Sequence, residues 1–378
     1  MRPLWAEVSL PNLQHNFREI RKHVGPGTQI CAVTKAHAYG HGAVECSHAL
    51  EAEGAQWFGV TSTEEGATVR DAGARARVLL MSGFWRDEED DVVRRDLTPA
   101  VWEPWHLEAL EKAAARAGRR EFPVHIKVDT GMGRLGVQLP NLERLLDALG
   151  KTAHLRLEGV MSHLASAEVL DAPDVETQAQ NFERAKKIVL SRGFTPAMWH
   201  LANTSAMVGR SELRMDMVRP GLALYGYTLP FVRQEAKNSV WPYFDLKPVL
   251  SWKTRILSIA QHPAGQAIGY GGTYVTQAPA RIAVLPIGYA DGLNRHLSSR
   301  ARFIVRDTYA PVVGRVSMDL TAIDITHVPA AALGDEVIVI GASEHCAVTA
   351  WDHACHANTV AYEVLCNIGK RVPRKYVH

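Results

Sequence analysis

The chain has 378 residues, 47% of them hydrophobic, too many for one ordinary core and apolar enough for well-packed domains, so two domains are expected. Lys plus Arg total 42 against 40 Asp plus Glu, a net charge of +2, which argues against the dense basic face of a nucleic-acid scaffold. The opening MRPLWAEVSL has no apolar signal core, no stretch reaches transmembrane length, and the scattered cysteines (Cys31, Cys46, Cys346, Cys355, Cys366) suit free thiols in a reducing compartment, so a cytoplasmic protein without a membrane partner is expected.

Trp5 to Leu10 reads as an opening strand, placed to pair with the β-rich end of the chain. Eight apolar runs follow, near 30–34, 57–61, 77–82, 98–102, 123–128, 157–162, 198–202 and 221–225. Helical spacing fills gaps between them, as at Ala43 to Ala52, Leu107 to Ala117 and Leu142 to Leu149. Near-continuous apolar strands alternating with helices predict a parallel sheet, and eight such units are what a TIM-type (β/α)8 barrel needs. A doubly wound open sheet is the competing α/β arrangement. After a linker at Leu229 to Pro248 the texture turns to β, with strands expected in 249–260, 280–292, 302–325 and 335–342 and one helix near 349–357. The expected domains are a barrel over 11–235 and a mostly β domain over 236–378, joined by segment 1–10.

In such a barrel the chemistry belongs at the C-terminal ends of the strands. There the first strand ends in AVTKAHAYGHG, with Lys35 and Tyr39, and the fifth in IKVDTGMGRLG, with Lys127, Asp129 and Arg134. The sixth ends in MSHLAS with His163, the seventh in HLANTSA with His200, Asn203, Thr204 and Ser205, and VRPGLALYG supplies Arg219, Gly221 and Tyr225. A lysine at the end of a core strand is either an ordinary snorkelling side chain or, if burial lowers its pKa, a nucleophilic amine that forms Schiff bases. Thr204, Ser205 and Gly221 suit a phosphate, because the loops after strands seven and eight are the usual anion site of a barrel; Asn-Thr-Ser also reads as a helix N-cap, and the two roles are compatible. A reactive lysine with a phosphate site on one rim points to pyridoxal 5'-phosphate (PLP).

With AIGYGGTY, LPIGYADG, GRVSMD and AYEVLCNIGKRVPR added to these segments, the chain resembles alanine racemase, a fold-type III PLP enzyme, over essentially its whole length. The resemblance implies an isomerase that interconverts L- and D-alanine, for peptidoglycan supply or D-alanine catabolism, and a homodimer with shared active sites. It implies that Lys35 carries the cofactor and acts as one base, and that Tyr270, from the partner chain, is the other. His163 is either a core histidine or a neighbour of that tyrosine and the ring. Arg219 is implied to face the pyridine nitrogen. Tyr39, Thr204, Gly221 and Tyr362 are implied to hold the phosphate, with Asn203 and Ser205 beside them. Arg134 and the backbone of Met318 are implied to take the substrate carboxylate. Lys127 is the position often carbamylated in the family, and Tyr289, Tyr362, Arg295, Arg315 and Glu168 correspond to the narrow entrance.

The chain departs from the pattern at His37, where Asn or Asp is common, at Thr204, where serine is usual, and at Glu168, where aspartate is frequent. None of these removes a catalytic group. The alternatives are a racemase of broader specificity, a fold-type III decarboxylase and a non-catalytic PLP-binding protein; bulky tyrosines at 270, 289 and 362 favour a small pocket and hence alanine. HCAVTAWDHACH, with His345, Cys346, His353, Cys355 and His356, lacks the firm four-ligand spacing of a zinc site, and no metal is expected.

Overall fold

The computed structural model describes residues 2–233, 235–236, 238–242 and 244–378. Met1, from the expected opening segment, and Gln234, Lys237 and Tyr243, from the expected linker, lie outside the described residues. The chain divides into two compact units: Asn12–Ala38 with Ala43–Lys247, and Met1–Pro11 with Tyr39–Gly42 and Pro248–His378. The change falls at 247/248, at the end of the expected linker. Asn16 explains why: its amide donates to the carbonyls of Leu224 (2.9 Å) and Lys247 (2.8 Å) and accepts from Lys247 N (2.8 Å), which ties the chain up to Lys247 to the helix Leu10–Val24.

The first unit is a nearly closed barrel of eight parallel strands, in the order Met217–Val218, Gln29–Val33, Trp57–Val60, Arg77–Leu80, Leu97–Val101, Phe122–Asp129, Leu155–Met161 and Met198–His200. The ring is stitched where its first and last strands meet by Asp216 N to Trp199 O (3.1 Å) and Arg219 N to Ala202 O (3.0 Å). Its interior packs Cys31, Trp57, Leu79, Ala100, Met161, Met198 and Met217 into one cluster, with His125 of the fifth strand 5.6 Å from the Trp57 ring. A polar residue in that layer is unusual. The outer helices follow their sequence patterns; Leu142–Leu149, for example, buries Leu142, Leu145, Leu146 and Leu149, spaced three and four apart.

The eighth strand needs correction. It was expected at 221–225, but it lies at Met217–Val218, and Leu222–Tyr225 forms a 3-10 turn. That turn is buried all round, so its apolar run carries no period that distinguishes a strand from a buried turn.

The second unit is mostly β. Its main sheet runs Ser258–His262, Ala280–Leu285, Thr321–Asp324, Thr308–Val313, Arg302–Val305, Glu336–Ala342, Leu250–Arg255, Leu4–Ser9 and Arg374–Val377. The opening strand pairs antiparallel with Leu250–Arg255 and parallel with Arg374–Val377. The helix Ala350–Ala357 starts in a capping box between Thr349 and Asp352. A second helix, Ala361–Cys366, was not anticipated and carries Tyr362. Among the described residues, no helix is long and apolar enough to cross a membrane.

Candidate active site

The first strand delivers Lys35 at its C-terminal end, and the chain then does something the sequence does not announce. Ala36, His37, Ala38 and Tyr39 all adopt positive φ, from 51° to 55°, a left-handed helical turn without a single glycine. Such a turn costs about 1–2 kcal/mol per residue and persists only when its surroundings enforce it. Two bonds do so within the barrel unit: Ala38 N to Thr34 O (2.8 Å), and Ala36 N to the Glu65 carboxylate (2.6 Å). Glu65 also accepts from Thr61 N (2.8 Å), so one carboxylate anchors the Lys35 turn to the end of the next strand. Ser62-x-x-Glu65 is a capping-box pattern, the one signal that could have drawn attention to it.

Arg219, 3% exposed, is the centre of a buried chain. Its Nη1 donates to His200 Nδ1 (2.8 Å), and its Nη2 to the carbonyls of Ser162 (2.6 Å) and Leu201 (3.1 Å). An arginine only donates, so His200 Nδ1 is an acceptor and its proton sits on Nε2. That nitrogen lies 2.9 Å from His125 Nδ1, which must accept, leaving His125 Nε2–H to face Glu158 Oε2 at 3.4 Å. Glu158 is in turn held by Arg77 (2.5 Å) and Arg156 (3.1 Å). Burial first, then the charge of Arg219, drives the His200 pKa well below its usual value, and burial lowers that of His125 despite Glu158. Both rings are therefore neutral with fixed tautomers. Burial favours a raised Glu158 pKa, but His125 and Arg77 outweigh it and bring the carboxyl down to about 2. The polar layer in the barrel is thus a one-way hydrogen-bond chain from Arg219 to a carboxylate. It leaves Arg219 Nε without a hydrogen-bond partner among the described residues.

Around Arg219 the charges are crowded. Lys127, 5% exposed, donates to Met81 O (2.8 Å), and its pKa is pushed down to about 8 by burial and then by Arg219, Arg134 and Lys35. His163 is pushed down to about 3 by burial and then by the charges of Arg219, Arg134, Lys127 and Lys35, so it is neutral. Asp129 shapes the glycine loop that bears Arg134, accepting from the amides of Gly131, Met132 and Gly133 at 3.0, 2.9 and 3.1 Å. Burial acts to raise its pKa, but those amides and Gln138 hold it below the usual carboxylate range.

The ends of strands seven and eight meet. Asn203 caps the short helix Thr204–Gly209 through Ala206 N (3.1 Å), and Gly221 N donates to Thr204 Oγ1 (2.9 Å). The threonine hydroxyl accepts from Gly221 N and keeps its own proton to donate. The N–H groups of Thr204 and Ser205 open the helix, where helical geometry provides no partner. A cofactor with a phosphate at one end and a ring nitrogen that accepts a hydrogen bond fits these residues: amides and hydroxyls for the first, the unpartnered Arg219 Nε for the second.

In the β unit the expected residues form pairs. The Tyr39 and Tyr362 rings lie 6.0 Å apart, and Gly40 approaches the Tyr362 helix so closely that a Cβ there would stand 2.4 Å from Leu365 O. Tyr270, 72% exposed, opens a turn that shares a cavity of about 640 Å3 with Arg315, Ile268, Ile282 and Leu320. The chain segments of Tyr289 and Met318 are joined by Tyr289 N to Ser317 O and Ala290 N to Met318 O, both 3.0 Å. Arg295 is exposed and Glu168 half-buried, and neither side chain bonds to another expected site residue among the described residues. Of the histidine and cysteine cluster, exposed His345 lies beside half-buried Asp307 and exposed Glu344, while His353 is buried.

Comparison with known proteins agrees with this geometry. Residues 8–229 match the alanine racemase N-terminal domain and 249–376 the alanine racemase C-terminal domain. The chain belongs to the alanine racemase family. Within it, alanine racemase 2 of Caldanaerobacter subterraneus is 38% identical, covering 100% of this chain and 96% of that one. The alanine racemase of Sorangium cellulosum is 39% identical over 100% and 99%. Among solved structures, alanine racemase from D-cycloserine-producing Streptomyces lavendulae superposes with a TM-score of 0.92 at 31% identity, covering 100% and 98%. The biosynthetic alanine racemase of Pseudomonas aeruginosa does so at 0.87 and 33%, covering all of both chains. Family membership makes the chain a PLP-dependent isomerase.

Proposed function

We propose that the chain interconverts L- and D-alanine by a two-base mechanism in which Lys35 and Tyr270 handle the proton, in the cytoplasm and as a homodimer. The observation that carries this reading is Arg219, buried, fixed on three acceptors, and left with its Nε–H and one Nη1–H to give. PLP, when bound, acidifies the Cα–H of an attached amino acid. Burial lowers the Arg219 pKa only to about 10, so it remains protonated at neutral pH and offers a hydrogen bond without surrendering a proton. Arg219 would thus leave the ring nitrogen of bound PLP unprotonated, a weaker electron sink that disfavours side reactions.

Lys35 Nζ takes the Cα proton on one face, and Tyr270 Oη gives one on the other; the reverse direction exchanges their roles. Neutral His163 adds no positive charge beside Lys35. Thr204, Ser205, Asn203, Gly221, Tyr39 and Tyr362 are assigned to the phosphate, Arg134 and the Met318 backbone to the substrate carboxylate, and Tyr289, Arg295, Arg315 and Glu168 to the entrance. Lys127 is assigned a carbamate: among Arg219, Arg134 and Lys35 a fourth cation is unfavourable, and a pKa of about 8 leaves free amine to react with carbon dioxide. A carbamate there reverses the charge and holds Arg134. The dimer is supported by Tyr270 itself, since a phenol that must exchange protons with Cα at 72% exposure needs another chain to exclude water.

The test is D-alanine formation from L-alanine by PLP-loaded protein. Turnover of lysine or serine equal to alanine contradicts the alanine assignment in favour of a broader racemase, and carbon dioxide release from a diamino acid contradicts racemisation.

A further inference from the structure

Two loops of the β unit run side by side, one over 288–292 with Tyr289, the other over 317–320 with Met318. They approach so closely that a Cβ on Gly288 would stand 2.3 Å from Ser317 O. Each loop carries one carboxylate. Asp291 is 0% exposed; its Oδ2 accepts from Gly288 N (2.9 Å), and its Oδ1 from Arg371 Nε (2.8 Å) and from Arg2. Asp319 accepts from Arg371 and, at 3.4 Å, from Arg2. Two arginines from opposite ends of the sequence therefore each bridge both loops. The C-terminal segment is bound to the same place: Gly369 N donates to Asp291 O (2.8 Å), and a Cβ on Gly292 would meet Asn367 O at 2.0 Å.

The backbone bonds alone would align the two loops. The ionic network does more: a buried carboxylate that loses its arginines is left uncompensated, so the offset between the loops is held against small displacements. None of the four charged groups is assigned to substrate or cofactor. What they hold in place is the backbone that carries Tyr289 and Met318.

We propose that Asp291, Arg371 and Arg2 are positioning residues that set the spacing between Tyr289 and the Met318 backbone, and thereby the size of amino-acid side chain the site admits. This rests on the alanine racemisation described above. A pocket closed by the spacing of two loops discriminates by a methylene or a hydroxyl group, a difference for which apolar pockets give roughly 10–200-fold.

The test uses full-length, PLP-saturated protein carrying Asp291→Asn, Arg371→Ala or Arg371→Lys, with kcat and KM for L-alanine and L-serine and hydrogen exchange at the Tyr289 and Ala290 amides. For Asp291→Asn and Arg371→Ala, the alanine KM rises about tenfold while kcat changes by less than about threefold, and the preference for alanine over serine falls about tenfold. Arg371→Lys restores part of that preference, and exchange at the two amides accelerates in the other variants. An unchanged preference, or a loss that tracks cofactor content, overturns the proposal. Unchanged amide exchange overturns it whatever the activity. If the wild-type protein fails to racemise alanine, the reading of function falls instead, and the exchange measurement still judges the clamp. Should Asp291→Asn fail to fold, the half-exposed Arg371 carries the same test.

Discussion

The barrel unit and the β unit solve different problems. In the barrel the functional side chains are buried and electrostatically committed: Arg219 on three acceptors, His200 and His125 in single tautomers, Lys127 crowded by cations. In the β unit Tyr270, Tyr289 and Met318 are exposed, and only the backbone beneath them is fixed. A site whose charges must be exact is built where water is absent and the dielectric low. The groups proposed to meet the substrate are left at the surface of the chain.

The largest effect is expected where the barrel supplies a reacting atom. Lys35→Ala should abolish racemisation and the visible absorbance of the bound cofactor, whereas Tyr270→Phe should keep that absorbance and lose roughly 10²–10⁴-fold in turnover. Isotope washout in Tyr270→Phe should also be unequal in the two directions, and equal retention of both rates would remove Tyr270 from the chemistry.

Next is Lys127. Its carbamate predicts a mass increment of one carbon dioxide in gently prepared protein, and Lys127→Ala should raise the alanine KM by roughly 10–100-fold, the range for losing an orienting partner. A wild-type KM for alanine that is indifferent to bicarbonate removal would break the assignment.

The barrel's buried chain should show in stability. The folded pKa of Glu158 is about 2 against 4.5 unperturbed, so its contribution, on the order of 3 kcal/mol, is complete above pH 4.5 and is lost as pH falls towards 2. Glu158→Gln should flatten that acid limb of the Tm–pH curve while leaving the curve near pH 7 lower throughout. In the β unit, Gly40→Ala should cost roughly 1–3 kcal/mol, since φ is +83° and the new Cβ strikes Leu365 O. The smallest effect is Thr204→Ser, which keeps the hydroxyl on Gly221 N and should change kcat/KM by less than about threefold.

Legibility in the sequence followed the same division. Lys35, Arg219 and Thr204 could be placed because strand ends and glycine-flanked loops mark themselves by local pattern. The left-handed turn could not, because Ala-His-Ala-Tyr has no preference for positive φ and is held there by Glu65, 26 residues beyond Tyr39 in sequence. His125 and Glu158 were passed over because they sit inside apolar runs, and only barrel register sets them in line. The eighth strand was misplaced onto Leu222–Tyr225 because total burial erases periodicity. The Arg2–Asp291–Asp319–Arg371 network joins segments from both ends of the chain, which no local pattern reports.

The central claim is that Lys35 and Tyr270 act on one substrate from two copies of the chain. It is tested by mixing and refolding Lys35→Ala with Tyr270→Phe protein, each inactive alone, and assaying alanine racemisation. If the tyrosine comes from the second copy, mixed dimers contain one complete site, and roughly a quarter of wild-type activity returns, half the dimers being mixed and each having one of two sites intact. No recovery in a mixture shown to contain mixed dimers would contradict the claim.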